Sequence, residues 1–450
     1  MRLLKEGKEP RAEGLPEAAR AALEKMRDEG SRLGSLRDDF GRSFGRAAEE
    51  TSVEINRTLE DPRFREAVIW QNRRAFHTGM ESLLRNPSGA RTFKRRQNEE
   101  LVASYLQRYC VKNDTIGFFG PVGWARLASS GEPLKVETGG GLLAARNVYF
   151  EGWCIDALAD KLASRPEMRP WAAPRRVPYL RLEGNALHLP RSRPLMLPPK
   201  YAAVLAACEG RLSASEIAAG LKRTPSLGVR AEAEVYKILT ELVGKGLISW
   251  TFEIPLEPCP EGTLRRRLEL VADESLRAGA LAQLAELEEA RRAVARAAGD
   301  AGRLDEAVGR LEETFTRLTA SATTRDAGKT YAGRTLIYED CVRDARVEVG
   351  PEIIEALGGP LSLLLTGARW LTFKAAELCL QTLRGIYDEM AREMGSPVID
   401  AASFWMRAQP LLFAEENSLL RTAESLFQER WAGILDLPPG AAASPTSVSN

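Results

Sequence analysis

Apolar residues recur at every third or fourth position along most of this chain, and the one sustained departure from that spacing is what most constrains its fold. From Arg176 onward, VPYLRLEG (177–184) and NALHLP (185–190) alternate apolar and polar residues across Glu183-Gly184, the pattern of a β-hairpin. Pro-Leu-Met-Leu at 194–197 offers a third short strand. Three short helices follow over about 199–208, 213–221 and 230–244, and 246–250 returns to extended chain. Ser213 with Glu216 three residues on has the spacing of a capping box. A hairpin followed by three helices predicts a small winged-helix module, embedded in a chain that is otherwise mostly helical. The fold class expected is therefore α+β, with several modules.

Residues 15–60 carry Leu33, Leu36, Phe40, Phe44 and Ala47 at helical spacing between charged residues, an amphipathic lead-in. Asp61-Pro62 starts a second helix, running to about Leu84, that Asn86-Pro87-Ser88-Gly89 ends, and a third runs over about 92–108. Past Asn113-Asp114 comes Gly117-Phe-Phe-Gly-Pro-Val-Gly-Trp124, too rich in Gly and Pro for helix and apolar enough for a buried loop or strand. After the hairpin module, 255–261 reads as a linker and 262–320 as two long helices broken near 299–302. In the second of them, Leu304, Val308, Leu311, Phe315 and Leu318 fall in the 4-3-4-3 spacing of a helical-hairpin seam. Residues 328–349 are mixed, 351–393 helical, and the closing PPGAAASPTSVSN is expected to be disordered.

At 450 residues and 44% hydrophobic, the chain can build two to four modules with real cores. Its 63 basic and 62 acidic residues cancel, which excludes a uniformly basic nucleic-acid coat; any anion must be met locally. There is no run near the ~18 apolar residues of a membrane helix and no signal-peptide pattern at the start, so a cytoplasmic location is expected. The six cysteines form no C-x-x-C pair and are expected to be reduced and mostly buried. His77 and His188 are the only histidines, and neither has a second ligand at metal spacing. No metal site and no Ser-His-Asp triad is expected. P-loop, H-E-x-x-H, G-x-S-x-G and dinucleotide-binding patterns are absent as well.

What remains is charge placement. Between Arg63 and Lys112, nine Arg and two Lys stand against four Glu, which makes this stretch a candidate polyanion footprint; a solvated helix face is the plainer reading. Arg108 and Lys112 are four apart and share a face if the helix persists. Phe118, Phe119 and Trp124 read as core rather than as base-stacking platforms. A second concentration spans 331–344, where Thr335-Leu-Ile-Tyr338 looks like a buried strand with Glu339-Asp340 at its end and Arg334, Arg343 and Asp344 close by. That cluster is either a set of salt bridges or an acid/base pair. In the winged helix the third helix carries Arg230, Lys237 and Lys245 against Glu232, Glu234 and Glu241, a balance that argues against DNA. Its apolar stripe, Val235, Ile238, Leu239 and Leu242, beside the short Leu195-Met196 strand suggests instead a groove where a peptide adds as an extra strand.

The run Gln107-Arg-Tyr-Cys-Val-Lys-Asn-Asp-Thr-Ile-Gly-Phe-Phe-Gly-Pro-Val-Gly-Trp124 resembles the N-terminal region of lantibiotic dehydratases, the class I lanthipeptide enzymes, in the form of an atypical branch. Phe64-Arg-Glu-Ala-Val-Ile-Trp-Gln-Asn72, Gly333-Arg-Thr-Leu-Ile-Tyr-Glu-Asp-Cys-Val-Arg-Asp344 and Ala368-Arg-Trp370 fit the same branch, so the resemblance covers about residues 50–435. It implies transfer of glutamate from glutamyl-tRNA, a co-substrate rather than a bound cofactor, to Ser or Thr of a ribosomal precursor peptide. A separate domain then eliminates glutamate to leave a dehydroamino acid. By the same resemblance Arg108 contacts the tRNA, Lys112 stands in place of a second Arg, and Ser104 stands where another cation is usual. Arg73, Arg95 and Arg96 complete the tRNA patch; Asp340 orients or deprotonates the acceptor hydroxyl with Arg334 and Arg343 beside it. The leader of the precursor peptide is expected on Leu195, Met196, Val235, Leu239 and Leu242.

The expected organisation is 1–172 as the N-terminal part of a glutamylation domain, 173–254 as the winged helix, 262–322 as a helical hairpin, 323–435 as a further part of the glutamylation domain with the acidic motif, and 436–450 as tail. A companion chain would bring the remaining glutamylation and elimination parts. Two other readings stay open: a peptide aminoacyl-tRNA ligase, and a non-catalytic adaptor that binds the leader.

Overall fold

A computed structural model describes residues 16–87, 92–111, 117–190, 192–325, 334–413 and 419–437. Lys112, Asn113-Asp114 and the closing tail lie outside the described residues. The chain divides into two units, one of Met1–Gly120 with Ala293–Gly309 and one of Pro121–Arg292 with Arg310–Asn450.

Helices build the first unit: α1 (Glu17–Glu60), α2 (Pro62–Ala75), a π-helical turn at Phe76–Met80, α3 (Glu81–Arg85) and α4 (Phe93–Val111). Asp61 starts α2, its carboxylate accepting from Arg63 N at 2.8 Å with Pro62 in the first turn. Leu59, Phe64, Val68, Met80, Leu83 and Val102 form the core, with Phe76, Tyr105 and Tyr109 packed on it. The helix expected over 61–84 is broken at Asn72, whose φ −162° and ψ 76° are not helical, and then passes through the π turn. A Cβ on Gly79 would stand 2.7 Å from Leu101 Cδ2, so glycine there leaves room for the Leu101 side chain of α4. Only the end of α1 reaches the core; its stripe of Leu33, Leu36, Phe40 and Phe44 is exposed by 50–70%.

The second unit is organised around a three-stranded sheet of order β1-β8-β2, from β1 (Ala125–Leu127), β2 (Leu134–Phe150) and, far along the chain, β8 (Ile337–Val349). β2 and β8 are antiparallel with Tyr149 opposite Tyr338 and Asn147 opposite Asp340; β1 joins β8 in parallel. The register shifts between Thr138 and Leu143, where three glycines swell β2, and a Cβ on Gly139 would overlap the Asp344 carboxylate. β2 leads into α5 (Gly152–Ala163), which buries Cys154, Ile155, Leu158 and Leu162.

The hairpin region follows the sequence reading closely. β3 (Pro174–Arg176) precedes a sheet of β4 (Arg181–Glu183), β5 (Ala186–His188) and β6 (Leu195–Met196), in that order, with Gly184 at positive φ in the β4–β5 turn. Then come α6 (Pro199–Ala207), α7 (Ala214–Lys222), α8 (Glu232–Gly244) and β7 (Ile248–Trp250), which pairs with β3. Ser213 and Glu216 make the expected capping box. The segment expected as two long helices is three: α9 (Pro260–Glu269), α10 (Glu274–Ala297) and α11 (Ala301–Thr319), of which the stretch Ala293–Gly309 belongs to the first unit; Leu304, Leu311, Phe315 and Leu318 are buried. After β8 run α12 (Pro351–Met394), α13 (Ala401–Phe413) and α14 (Leu419–Ile434); α12 and α13 meet at Ile386, Met390 and Ala408, and Phe427 of α14 stacks on Trp370 of α12. The chain is mostly helical with small sheets, an α+β fold.

None of the six cysteines forms a disulfide. Cys154, Cys208 and Cys341 are buried, Cys110 and Cys259 exposed, so half rather than most of them are interior. Among the described residues no helix is long and apolar enough to cross a membrane.

Candidate functional site

The two motifs singled out in the sequence meet on β8. Just before β1, Val122 donates its N–H to Cys341 O at 3.0 Å, and its carbonyl accepts from Arg343 N at 2.8 Å, so the Pro121–Trp124 segment is laced to the strand that carries Asp340. β8 begins at Ile337 and runs to Val349, which places Glu339 and Asp340 inside a long strand rather than at the end of a short one. Alternation then sorts the side chains. Tyr338, Asp340 and Val342 are exposed on one face, whereas Glu339 and Cys341 are buried on the other.

Asp340 therefore faces outward beside Tyr338, across from Asn147, and the stacked Tyr149–Tyr338 pair (ring centroids 5.5 Å apart, 28° between planes) borders it. Burial, then the neighbouring Glu151, Tyr149 and Asp340, pushes the Tyr338 phenol above its ordinary range. The phenol thus stays protonated at neutral pH, a hydrogen-bond donor next to a carboxylate. Arg343 does not share that face: it lies three residues on, and its guanidinium donates to Leu142 O at 2.8 Å. Arg334 precedes the strand, its carbonyl accepting from Arg325 N at 3.2 Å. The expected trio of Asp340, Arg334 and Arg343 is thus spread over a loop and both faces of a strand. Asp344 accepts from Gly141 N at 3.0 Å and holds the swollen part of β2. Sequence reasoning missed a partner of Glu339, Arg146 on β2: Nε to Oε2 is 2.6 Å, and the Glu339 side chain is 2% exposed.

In the first unit the four expected tRNA contacts that lie among the described residues separate. Arg95 is buried, donating to Glu99 at 3.1 Å and to the carbonyls of Asn86 and Pro87 at 2.6 Å each. It closes the α3–α4 connection and has no surface to offer, which corrects its assignment. Arg73 is held by Asp305, Nε to Oδ1 at 2.6 Å, and His77 Nε2 reaches the same oxygen at 2.9 Å. Arg96 is exposed on α4, and Arg108 is half-buried in its last turn. At 100° per residue these two stand about 120° apart, whereas the exposed Lys94 falls within about 40° of Arg108 and extends its stripe. Lys94 was passed over because only a fixed helical phase ties it to Arg108. Next to Arg108, Tyr109 donates to Gln71 Oε1 at 2.9 Å, and burial pushes its phenol far above the ordinary range. Phe118 is buried as expected, but Trp124 is 88% exposed, against its reading as core.

The expected leader groove also needs correction. Val235, Leu239 and Leu242 are essentially inaccessible; they are the core on which α8 packs, because the same stripe that could line a groove is what holds a 13-residue helix to α6, α7 and β7. Leu195 and Met196 are exposed, on a strand paired on one side only. Among the described residues no His, Cys, Asp and Glu side chains group as a metal ion would require.

The fold is similar to that of solved structures. The tRNA-dependent lantibiotic dehydratase MibB from Microbispora sp. 107891 superposes with a TM-score of 0.52 at 15% identity, over 69% of this chain and 30% of that one. The glutamylation domain TbtB of thiomuracin biosynthesis, solved alone and bound to 5'-phosphodesmethylglutamycin, superposes with a TM-score of 0.52 at 18% identity, over 97% of this chain and 55% of that one. The chain thus spans about half or less of these structures. The family profile for the lantibiotic dehydratase N terminus matches residues 60–376, and the chain belongs to that family. No curated protein matches the sequence.

Proposed function

We propose that this chain carries part of a glutamylation activity in which glutamyl-tRNA esterifies Ser or Thr of a ribosomal precursor peptide, the step before elimination to a dehydroamino acid. The observation that carries the reading is the family match over 60–376, which spans both the Arg108 turn and the Asp340 strand. In this reaction the acceptor hydroxyl oxygen attacks the ester carbonyl of the donor. The new ester forms as the bond to the tRNA ribose oxygen breaks, and the proton leaves the acceptor for a base and ends on the ribose oxygen. Asp340 is that base, and the protonated Tyr338 beside it donates to the developing oxyanion. An activated ester donor needs no nucleotide hydrolysis, in keeping with a sequence that has no P-loop.

Arg108, Lys94, Arg96 and Arg73 meet the tRNA, with Lys112, whose place lies outside the described residues, continuing the patch; Arg334 and Arg343 support the acidic strand. We read β4–β6 with α6–α8 as a winged helix that takes the leader on the open edge of β6, next to Leu195 and Met196. The test is glutamyl-tRNA binding against salt. Arg108→Ala is expected to weaken it and to flatten log K against log salt by about one unit, with leader affinity unchanged. Equal loss of both ligands would mean unfolding and would remove the assignment.

A further inference from the structure

An open pocket of about 470 Å³ lies in the second unit between β3 and the turn joining α6 to α7, lined by Arg175, Arg176, Arg211 and Glu209 together with Val177 and Leu180. Its walls are fixed by backbone bonds: Arg176 N donates to Cys208 O and Gly210 N to Pro174 O, each at 2.9 Å. The turn is shaped to the cations. Gly210 sits at φ +75°, and a Cβ there would stand 2.6 Å from Arg175 Nε, so only glycine lets this guanidinium lie across the turn. Arg175 is met by Glu253 at 2.7 Å and Arg176 by Glu209 at only 3.9 Å, while Arg211 has no ion-pair partner among the described residues. The lining is thus cationic in excess. Cys208 adds no nucleophile, since burial pushes its thiol up to about 12 and the nearby Arg176 only partly opposes this.

We propose that this cavity is a carboxylate-recognition site that takes an acidic side chain of a peptide segment with an apolar neighbour. Guanidinium forks match a carboxylate in pairs, and the Val177 and Leu180 side chains in the lining suit the flanking apolar side chain. A phosphate dianion fits less well, because the Glu209 carboxylate shares the wall. The volume lies within the range of ordinary ligand cavities and holds one or two side chains. The site stands apart from aminoacyl transfer and needs no tRNA, so its failure would leave the glutamylation reading untouched.

The test uses the full chain and a fluorescein-labelled peptide containing Leu-Glu-Leu, followed by anisotropy, with the Leu-Gln-Leu peptide as control. The acidic peptide is expected to bind at least about tenfold more tightly than its amide counterpart, and Arg211→Ala and Arg176→Gln each to weaken it about tenfold. Gly210→Ala, which displaces Arg175 without removing a charge, is expected to weaken it as well. Circular dichroism establishes that each variant is folded, and the three variants give independent readings. Equal binding of the two peptides, no binding of the acidic one, or affinity unmoved in the folded variants would overturn the proposal. Competition by inorganic phosphate at lower concentration than by acetate would replace the carboxylate with a phosphate ligand and overturn it equally.

Discussion

Replacing Arg146 by methionine tests how the sheet that carries Asp340 is held together. Arg146 Nε donates to Glu339 Oε2 at 2.6 Å, with the two side chains 19% and 2% exposed. Methionine keeps much of the volume but deprives a nearly dry carboxylate of this guanidinium. Breaking a buried pair by removing one partner costs about 3–5 kcal/mol. Arg146 keeps some access to water, so the lower end, about 3 kcal/mol, is expected. With a urea slope of about 3 kcal/mol/M the unfolding midpoint falls by about 1 M. The double variant Arg146→Met with Glu339→Leu leaves no buried charge and recovers most of the loss. A deficit under about 1 kcal/mol would refute the argument.

Two further outcomes follow from burial alone. Leu239→Asp is expected to unfold the helices around α8 and to lose leader binding with them, whereas Met196→Asp, on an exposed strand, leaves circular dichroism unchanged and weakens the leader only; a folded Leu239→Asp chain would contradict this. In the native chain a thiol reagent at neutral pH is expected to label Cys110 and Cys259 and to spare Cys154 and Cys208, whose thiols burial holds protonated, with all six reacting in denaturant; mapping labels by mass spectrometry decides it, and native labelling of Cys154 would count against the packing of α5.

The hairpin and the three helices after it were legible because their signals are local: Gly184 at the turn, the Ser213–Glu216 box, and a stripe every three to four residues. The same stripe misled about function, since a face that could line a groove and one that anchors a helix have identical spacing. β2 went unread because its alternation is cut by Gly139–Gly141, and its partner β8 lies nearly two hundred residues away. For the same reason the Arg146–Glu339 pair had no local signature, and the outward turn of Asp340 could be assigned only once β8 was known to continue past it. Arg95 looked like part of a cationic face because composition counts charges without asking which carbonyls they cap.

The most direct test of the proposed glutamylation is intact-mass spectrometry of a cognate precursor peptide after incubation with this chain, glutamyl-tRNA, its synthetase and the portion of a larger relative that this chain does not span. The account predicts a glutamyl ester on Ser or Thr that is lost when Asp340→Asn replaces the native chain while leader binding persists. An adduct of equal yield with Asp340→Asn, or one formed without this chain, would contradict it.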